Sequence, residues 1–547
     1  MIQRYSFLMK LAGALLLVAL ADLLFWFQRA GSTIGLYALA LLVVVGTMRL
    51  ETFRRWPSRI AFAAAFFFAL ALAADPGPLT LLLYWTALTL AALLPRTAGF
   101  DNGWRWAQRL AVHGLLSAFG PFRDYLILGR ARRRRGATGL RGKAFTLILP
   151  LAGSILFLSL FAQANPLIGD ALARIDLWPD FDGTTVARLL FWAVLLTALW
   201  SVLRPSRFTL WPAWAGVRAD AALPGVSLAS VTISLLAFNL IFAVQNGLDL
   251  AFLWSGAALP AGMTLAEYAH RGAYPLIATA LLAGLFVLVT LRPGAATAAS
   301  RPIRLLVTLW ILQNVLLVAS TMLRTIDYVG AYSLTVLRIA ALIWMALVAL
   351  GLVLICVRLL AGKSGAWLIN ANLLAAALVL AACSWIDLGG VAATWNVRHA
   401  REAGGSGAAI DLCYLHELGP SALLPLIELE SRPLPTEVRD RMQWVRSRIM
   451  DRLGTNQTDW HGWTLAGARR LADANALIAA RRLPYHRDDV RQCDGHFYPP
   501  LPQRAGPSYD ADDSYYGSPD AAPATNASRP ASPPAPAPKP LTANPAR

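Results

Sequence analysis

The chain has 547 residues, of which 57% are hydrophobic and only 15% carry a formal charge. A soluble domain has nearer a quarter of its residues charged, and the mean hydropathy of +0.51 indicates a chain that lies largely in a bilayer. The net charge of +18 raises the question of nucleic acid. The placement of the basic residues argues instead for membrane topology, and no nucleic-acid partner is predicted.

Apolar runs long enough to cross a membrane recur along the first 388 residues. A helix needs ~20 mostly apolar residues to span a hydrocarbon core of ~30 Å. The runs predict an all-α, polytopic membrane helix bundle of about 11 spans, although the short third and fourth runs leave a re-entrant pair open. The predicted spans are 7–27, 31–48, 60–74, 79–94, 144–163, 186–203, 223–246, 265–291, 303–323, 331–357 and 366–388.

Alternate loops between these spans differ sharply in their content of Lys and Arg. Twenty-five basic residues lie on the side of the N-terminus, whereas the opposite loops hold only Arg29, Arg174 and Arg324. Cytoplasmic loops are the ones enriched in Lys and Arg. The N-terminus is therefore predicted to be cytoplasmic, and everything after residue 388 is predicted to be periplasmic.

The first apolar run admits two interpretations. Ala19-Leu20-Ala21 matches the small-residue pattern that precedes a signal-peptide cleavage site. The run continues through Phe27, however, and this length favours a retained membrane anchor. Either outcome leaves the orientation of the remaining spans unchanged.

The longest predicted cytoplasmic segment is the basic loop 95–143. An amphipathic helix from Trp104 to Phe119 is expected to lie on the membrane surface, and the arginine-rich run 130–135 is expected to meet anionic lipid headgroups. Membrane lipids are thus the predicted partner. A docking site for a cytoplasmic protein is the alternative, but the sequence identifies no such protein.

The chain changes character after the last span. Four amphipathic segments predict a small helical periplasmic domain over 389–500: Leu412–Leu418, Ser421–Leu429, Glu437–Leu453 and Thr464–Arg482. Residues 501–547 are rich in Pro and Ala and predict a disordered tail.

Cys413 and Cys493 are the two cysteines of this predicted domain. An oxidising compartment makes a disulfide between them one interpretation. A second is a zinc site, because Cys413 and His416 share their spacing with Cys493 and His496, although this spacing is not a recognised zinc-finger pattern. Two unpaired thiols are the third interpretation. No cofactor is predicted.

Ionisable residues inside the predicted bundle are the candidates for a ligand site, because placing them in a bilayer is costly. Glu267, His270, Arg271 and Tyr274 are spaced so that they share one face of the eighth predicted span. Pro275 follows directly and favours a kinked helix beside this stripe.

Neighbouring spans contribute Arg324, Asp327 and Arg338 on the same side. Arg338 is expected about 10 Å below the start of the tenth span, paired with a carboxylate of Glu267, Asp327 or Asp249. In one interpretation these groups pair with one another and lock the bundle. In the other they line an outward-facing cavity for an anionic headgroup or a polar solute. No motif of a known enzyme is recognised, and no catalytic residue is predicted.

Four stretches of the chain resemble an uncharacterised bacterial multi-pass family known as a domain of unknown function, number 4173. They are Glu267–Leu276, Leu337–Trp344, Thr394–Arg398 and Asp459–Trp463. The resemblance implies a location in the bacterial cytoplasmic (inner) membrane and no established activity. It assigns no catalytic residue.

Three functions remain in view from the sequence. The first is a non-enzymatic envelope sensor, regulator or assembly partner. The alternative is a transporter or lipid-handling protein that uses the outward-facing polar patch. The third is a membrane-embedded transferase, because charged residues at the outer rim would suit a lipid-linked phosphate.

Overall fold

The computed structural model describes residues 2–97, 100–117, 119–124, 183–205, 227–255, 300–484 and 491–496, with single positions at 127, 154, 279, 282–284 and 286. These residues form helices, turns and irregular segments, and they include no β-strand. The predicted all-α membrane bundle is therefore confirmed. The arginine-rich run 130–135 and the predicted tail 501–547 lie outside the described residues.

Ten α-helices have both ends within the described part of the first 388 residues. They are α1 (Ile2–Phe25), α2 (Thr33–Met48), α3 (Trp56–Ala74), α4 (Pro78–Leu93), α5 (Gly103–Ser117), α6 (Gly183–Leu203), α7 (Leu228–Asp249), α8 (Arg301–Tyr332), α9 (Val336–Leu360) and α10 (Gly365–Cys383). A π-helical turn, Leu250–Trp254, continues α7.

Eight of these helices are long and apolar enough to cross a membrane: α1, α3, α4 and α6 to α10. Helix α2 is apolar but has only 16 residues. The predicted spans 144–163 and 265–291 fall outside the described residues, apart from single helical positions. The count of about 11 spans therefore stays a prediction.

The described membrane helices share two buried apolar clusters. The first joins α1 to α4 with the end of α6, through residues such as Leu17, Leu41 and Leu203. The second joins α7 to α10 around Trp310 of α8. Close approach is possible where side chains are small: a Cβ added at Gly35 would stand 2.1 Å from the backbone nitrogen of Ala73, so α2 and α3 cross almost in backbone contact.

The buried side chain of Arg49 links the ends of α2, α4 and α6 at one end of the bundle. The Arg49 side chain is fully buried and donates hydrogen bonds to the carbonyls of Val202 and Ala92, each at 2.7 Å. These carbonyls lie in the last turns of α6 and α4, where helix C-termini leave unpaired acceptors and partial negative charge. Glu51 neutralises the guanidinium at 2.7 Å.

The residues after α10 form a helical domain with its own core. Its helices are α11 (Leu388–His399), α12 (Leu412–Glu417), α13 (Leu423–Glu430), α14 (Thr436–Thr458) and α15 (Leu465–Arg481). Leu415, Leu426 and Met442 are fully buried among them. We call this unit the outer domain, because it lies beyond the end of the membrane helices.

The outer domain packs directly on the loops at the end of the bundle opposite Arg49. Ser32 N, before α2, donates to Trp463 O at 2.8 Å, and Arg29 Nη1 donates to Thr455 O at 3.0 Å. Arg470 of α15 contacts Asp75, which ends α3, at 3.4 Å. These loops are the ones that the distribution of Lys and Arg had grouped on one side.

Candidate functional site

Four of the seven residues predicted to form a polar ligand site lie outside the described residues: Glu267, His270, Arg271 and Tyr274. The other three, Arg324, Asp327 and Arg338, are described, and each has a different environment. Their surroundings divide the predicted patch into a buried ion pair, a helix cap and one wall of a cleft.

Arg324 of α8 forms a buried ion pair with Asp249 at the end of α7. Their side chains are 6% and 1% exposed, and Gln245 donates to the same Asp249 oxygen at 3.1 Å. Two opposite charges at a site of low dielectric stabilise one another, whereas either alone would be strongly disfavoured. This part of the patch therefore locks α7 to α8.

The ion pair is the last of a series of polar contacts between α7 and α8. Asn239 Nδ2 donates to Leu306 O at 3.1 Å, and Asn246 Nδ2 donates to Gln313 O at 3.1 Å. Asn239 and Asn246 are about two helical turns apart, so both lie on one face of α7. Polar contacts of this kind join membrane helices where lipid offers no partner.

Arg338 corrects the prediction made for it. Helix α8 continues to Tyr332 and α9 begins at Val336, so Arg338 lies in the first turn of α9 and not deep in a span. The Arg338 guanidinium donates to the carbonyls of Tyr332 and Ser333 and lies 4.5 Å from the centre of the Tyr328 ring. Within the described residues its partners are thus carbonyls and an aromatic face, and the expected carboxylate partner is not among them.

Asp327 lies on the exposed side of α8 and lines a cleft of about 470 Å³. The lining also includes Trp395, Asn396 and His399 of α11 and Ser333 of the loop between α8 and α9. We call this cavity the rim cleft. Asp327 is the one predicted site residue in its lining.

Helix α11 is the part of the outer domain that contacts the loop between α8 and α9. We call this contact the seam. Asp387 caps its first turn by accepting from Gly390 N at 2.9 Å. The Asn396 amide is 7% exposed and bonds twice to Leu334 between α8 and α9, accepting from its N–H at 2.6 Å and donating to its C=O at 2.9 Å. Tyr414 Oη accepts from Val336 N at 2.8 Å and adds a third link.

A second cavity, of about 670 Å³, lies along a neighbouring face of α11. We call it the outer cleft. Its walls combine apolar side chains of α11 and α13 with the polar residues Asp387, Arg398 and Arg470. Trp395 and His399 line both clefts and stack on each other, with ring centres 3.9 Å apart.

The lining of the outer cleft contains one carboxylate, that of Asp387, and two guanidinium groups, those of Arg398 and Arg470. Both carboxylate oxygens of Asp387 are engaged: Oδ1 accepts from Ser421 Oγ at 2.8 Å, and Oδ2 accepts from Arg470 at 2.7 Å. Burial raises the pKa of nearby Asp75, Arg470 opposes that shift, and Asp387 adds to it. Arg398 is exposed and has no hydrogen bond or ion pair to any part of the chain that the structure describes.

Cys413 and Cys493 are joined by a disulfide bond, with their Cα atoms 4.9 Å apart. The bond ties the segment after α15 to α12. His416 packs against Trp444 with ring centres 5.1 Å apart, and burial together with Arg452 and Arg448 lowers the pKa of its imidazole. Bonded sulfurs are not thiolate ligands, and the described residues contain no cluster of His, Cys, Asp and Glu that fits a metal ion.

The residues that build the seam were not singled out from the sequence: Asp387, Asn396, Arg398, His399 and Arg470. Two signals were present. Asp387 stands three residues before Gly390 as an N-cap does, and Thr394–Arg398 is one of the stretches that resemble a known family.

The fold and the seam define a polytopic helical membrane protein with a helical domain docked on one end of its bundle. The chain belongs to the family described as Domain of unknown function (DUF4153), whose model matches residues 60–429. The expected number, 4173, is not matched. Searches of the curated proteins and of the solved structures each found no significant match.

Proposed function

We propose that this chain is a multi-pass protein of the bacterial cytoplasmic membrane that acts without catalysis, as an envelope sensor, regulator or assembly partner. The observation that carries the proposal is the docking of the outer domain. Asn396 holds the loop between α8 and α9 by two hydrogen bonds, so the outer domain is clamped to two membrane helices instead of hanging from a linker.

The proposed orientation has the N-terminus in the cytoplasm and the outer domain in the periplasm. It is supported by the excess of Lys and Arg in the loops around Arg49 and by the docking of the outer domain at the opposite end of the bundle. The Cys413–Cys493 bond also suits a periplasmic domain, because disulfides persist in oxidising compartments.

A clamp of this kind suits a protein that transmits a change from outside to inside. Asn396 is nearly fully buried, and Leu334 precedes α9, a continuous helix of 25 residues that runs to the opposite face. A displacement of α11 would therefore pull directly on the start of a membrane helix. Coupling through packed, hydrogen-bonded elements is the physical route by which one site biases another.

The test is a variant that opens the clamp without removing the domain. Asn396→Ala removes both bonds to Leu334 and leaves a buried N–H and C=O unpaired, at a cost of about 1–3 kcal/mol. We expect the variant to insert normally and to show faster hydrogen exchange at the start of α9. In a strain that lacks the chain, we expect it to fail to restore growth under envelope stress.

Asn372→Ala is the matched control, because that amide bonds to Leu368 O within its own helix, α10. Asn372→Ala should restore growth as the parent chain does. The contradicting outcome has two parts. Hydrogen exchange of the Asn396→Ala protein shows that the contact between Asn396 and Leu334 is open, and the variant still restores growth fully. That outcome would rule out a function that depends on coupling.

A lipid-handling or transport function is the second candidate, and the rim cleft favours it. Asp327 presents a carboxylate to a cavity of about 470 Å³ that opens beside the outer end of α8. If Asp327→Asn abolished restoration while Asn396→Ala preserved it, ligand handling would replace coupling as the explanation.

A further inference from the structure

We propose that the outer cleft binds the phosphate of an anionic membrane lipid, with Arg398 as the group that recognises the charge. This inference rests on the proposed function for one point, the placement of α11 outside the cytoplasm. It goes further by assigning a ligand class and a recognising residue to the seam.

The first support is the position of the cleft along the chain. Membrane helix α10 ends at Cys383, and the lining of the outer cleft begins three residues later at Ile386. Trp385 and Ile386 are 49% and 51% exposed at this point. Tryptophan collects where hydrocarbon meets headgroups, so these side chains indicate that the cleft opens at the level of the bilayer surface.

The second support is the chemistry of the walls. Ile386, Val391 and Leu424 supply apolar surface, and Trp395 adds an aromatic face that is 41% exposed. The volume of about 670 Å³ lies within the ~300–1,000 Å³ typical of small-molecule sites. An apolar cavity that opens at a membrane surface suits an amphiphile better than a small hydrated ion.

The third support is the sign of the charge. Arg470 bonds to Asp387 at 2.7 Å and to Asp75, which lies outside the lining, at 3.4 Å. The guanidinium of Arg398 is therefore the charged group of the lining that has no carboxylate partner among the described residues. Guanidinium groups bind phosphate oxygens through paired hydrogen bonds. His399 adds a polar edge, because only its Nδ1 lies against the Trp395 carbonyl, at 2.9 Å. The cleft thus offers a cationic head beside an apolar wall.

The experiment is lipid binding to the full-length purified protein, measured by native mass spectrometry. The probe is phosphatidylglycerol. Phosphatidylcholine of the same acyl chains is the zwitterionic comparison, with the same phosphate but no net charge, and glycerol 3-phosphate is the soluble anion. We expect one phosphatidylglycerol to bind in preference to phosphatidylcholine. Arg398→Gln should weaken that binding about tenfold, the loss expected for a hydrogen bond to a charged group.

Arg398→Lys should retain part of the affinity, since it keeps the charge and loses the paired geometry. Arg469→Gln is the matched control. Arg469 is likewise an exposed arginine with no hydrogen bond or ion pair to the described residues, and it lies outside the lining of the cleft. Its substitution should leave binding unchanged. Melting temperatures of all variants establish that each is folded.

Two results would overturn the inference. Equal binding of phosphatidylglycerol by the parent and by folded Arg398→Gln would remove Arg398 from recognition. Glycerol 3-phosphate binding as tightly as the lipid would show a soluble anion site instead of a membrane-lipid site. Neither result depends on the clamp, because Arg398→Gln leaves Asn396 and its two bonds intact.

Discussion

The Arg324–Asp249 pair is the residue-scale feature on which the interior of the bundle depends most directly. Both side chains are almost fully buried, and they lie on different helices. Removing one partner leaves an uncompensated charge among apolar groups, whereas replacing both with apolar residues removes the problem altogether. The two kinds of substitution therefore have opposite expected consequences.

Arg324→Leu should destabilise the purified protein by about 3–5 kcal/mol, because Asp249 then remains charged and buried without its ion-pair partner. The double variant Arg324→Leu with Asp249→Leu should recover most of that loss. Arg338→Leu should cost only about 1 kcal/mol, because its carbonyl partners lie at a helix end that is partly open to water. Thermal unfolding in detergent measures all three, and a double variant no more stable than Arg324→Leu would contradict the explanation.

At the scale of the element, the outer domain shows how far apolar spacing predicts helices. Its four predicted segments coincide closely with α12 to α15, because charged and apolar residues there alternate with helical period. Spacing alone did not locate the break between α8 and α9. Ser333 makes that break with φ of +69°, a conformation that hydropathy does not reveal, and Arg338 was consequently placed too deep.

The candidate site was predictable only in part, for a related reason. Arg324 and Asp249 were singled out from the sequence because charged residues within spans are costly, although Asp249 was given as a possible partner of Arg338 and not of Arg324. The clefts were not visible, because their walls bring together residues from separate segments, such as Asp327, Asn396 and Arg470. Side chains that meet only through tertiary packing leave no periodic signal in a single sequence.

Helix α5 shows how burial at the basic face creates a dependence on pH. The amphipathic helix expected over Trp104–Phe119 is observed as Gly103–Ser117, docked to α10 by a hydrogen bond from Gly103 N to Asn370 Oδ1 at 2.8 Å. His113 on this helix is 4% exposed. Burial, assisted by the charges of Arg96 and Arg49, lowers the pKa of His113 to about 4.

A histidine whose pKa is lowered in the folded state favours folding while it is neutral. Its contribution is complete above the unfolded pKa of 6.5 and is lost as the pH falls towards about 4. Hydrogen exchange in α5, corrected for intrinsic rates, should therefore accelerate between pH 7 and pH 4.5. His113→Phe should remove most of this response while keeping the volume filled. An unchanged pH response in His113→Phe would exclude His113 as its origin.

At the scale of the whole molecule, two independent features divide the loops in the same way. The positions of Lys and Arg group alternate loops by charge, and packing groups them by contact with Arg49 or with the outer domain. A bundle with the wrong order of spans would place Asp75 and Leu334 on different ends, yet both lie against the outer domain. Packing thus shows which loops lie at the same end of the bundle. The distribution of Lys and Arg supports the proposal of which end faces the cytoplasm.

Reporter fusions test that proposal directly. Alkaline phosphatase fused after Gly390 should be active, because the enzyme needs an oxidising compartment, and the same reporter fused after Lys363 should be inactive. A cytoplasmic fluorescent reporter should give the reciprocal pattern at the two positions. Activity only after Lys363 would reverse the sidedness and would remove the periplasmic setting of both clefts.

The buried Arg49 also has a consequence for biosynthesis. One of its two carbonyl partners, Val202, lies 153 residues further along the chain. At synthesis rates of roughly 5–20 residues per second, roughly 8–30 s separate the emergence of the two residues from the ribosome. During that interval Glu51, and later the carbonyl of Ala92, are present as partners of the guanidinium, but the carbonyl of Val202 is still missing. The packing of the amino-terminal helices around Arg49 is therefore complete only after α6 has been inserted.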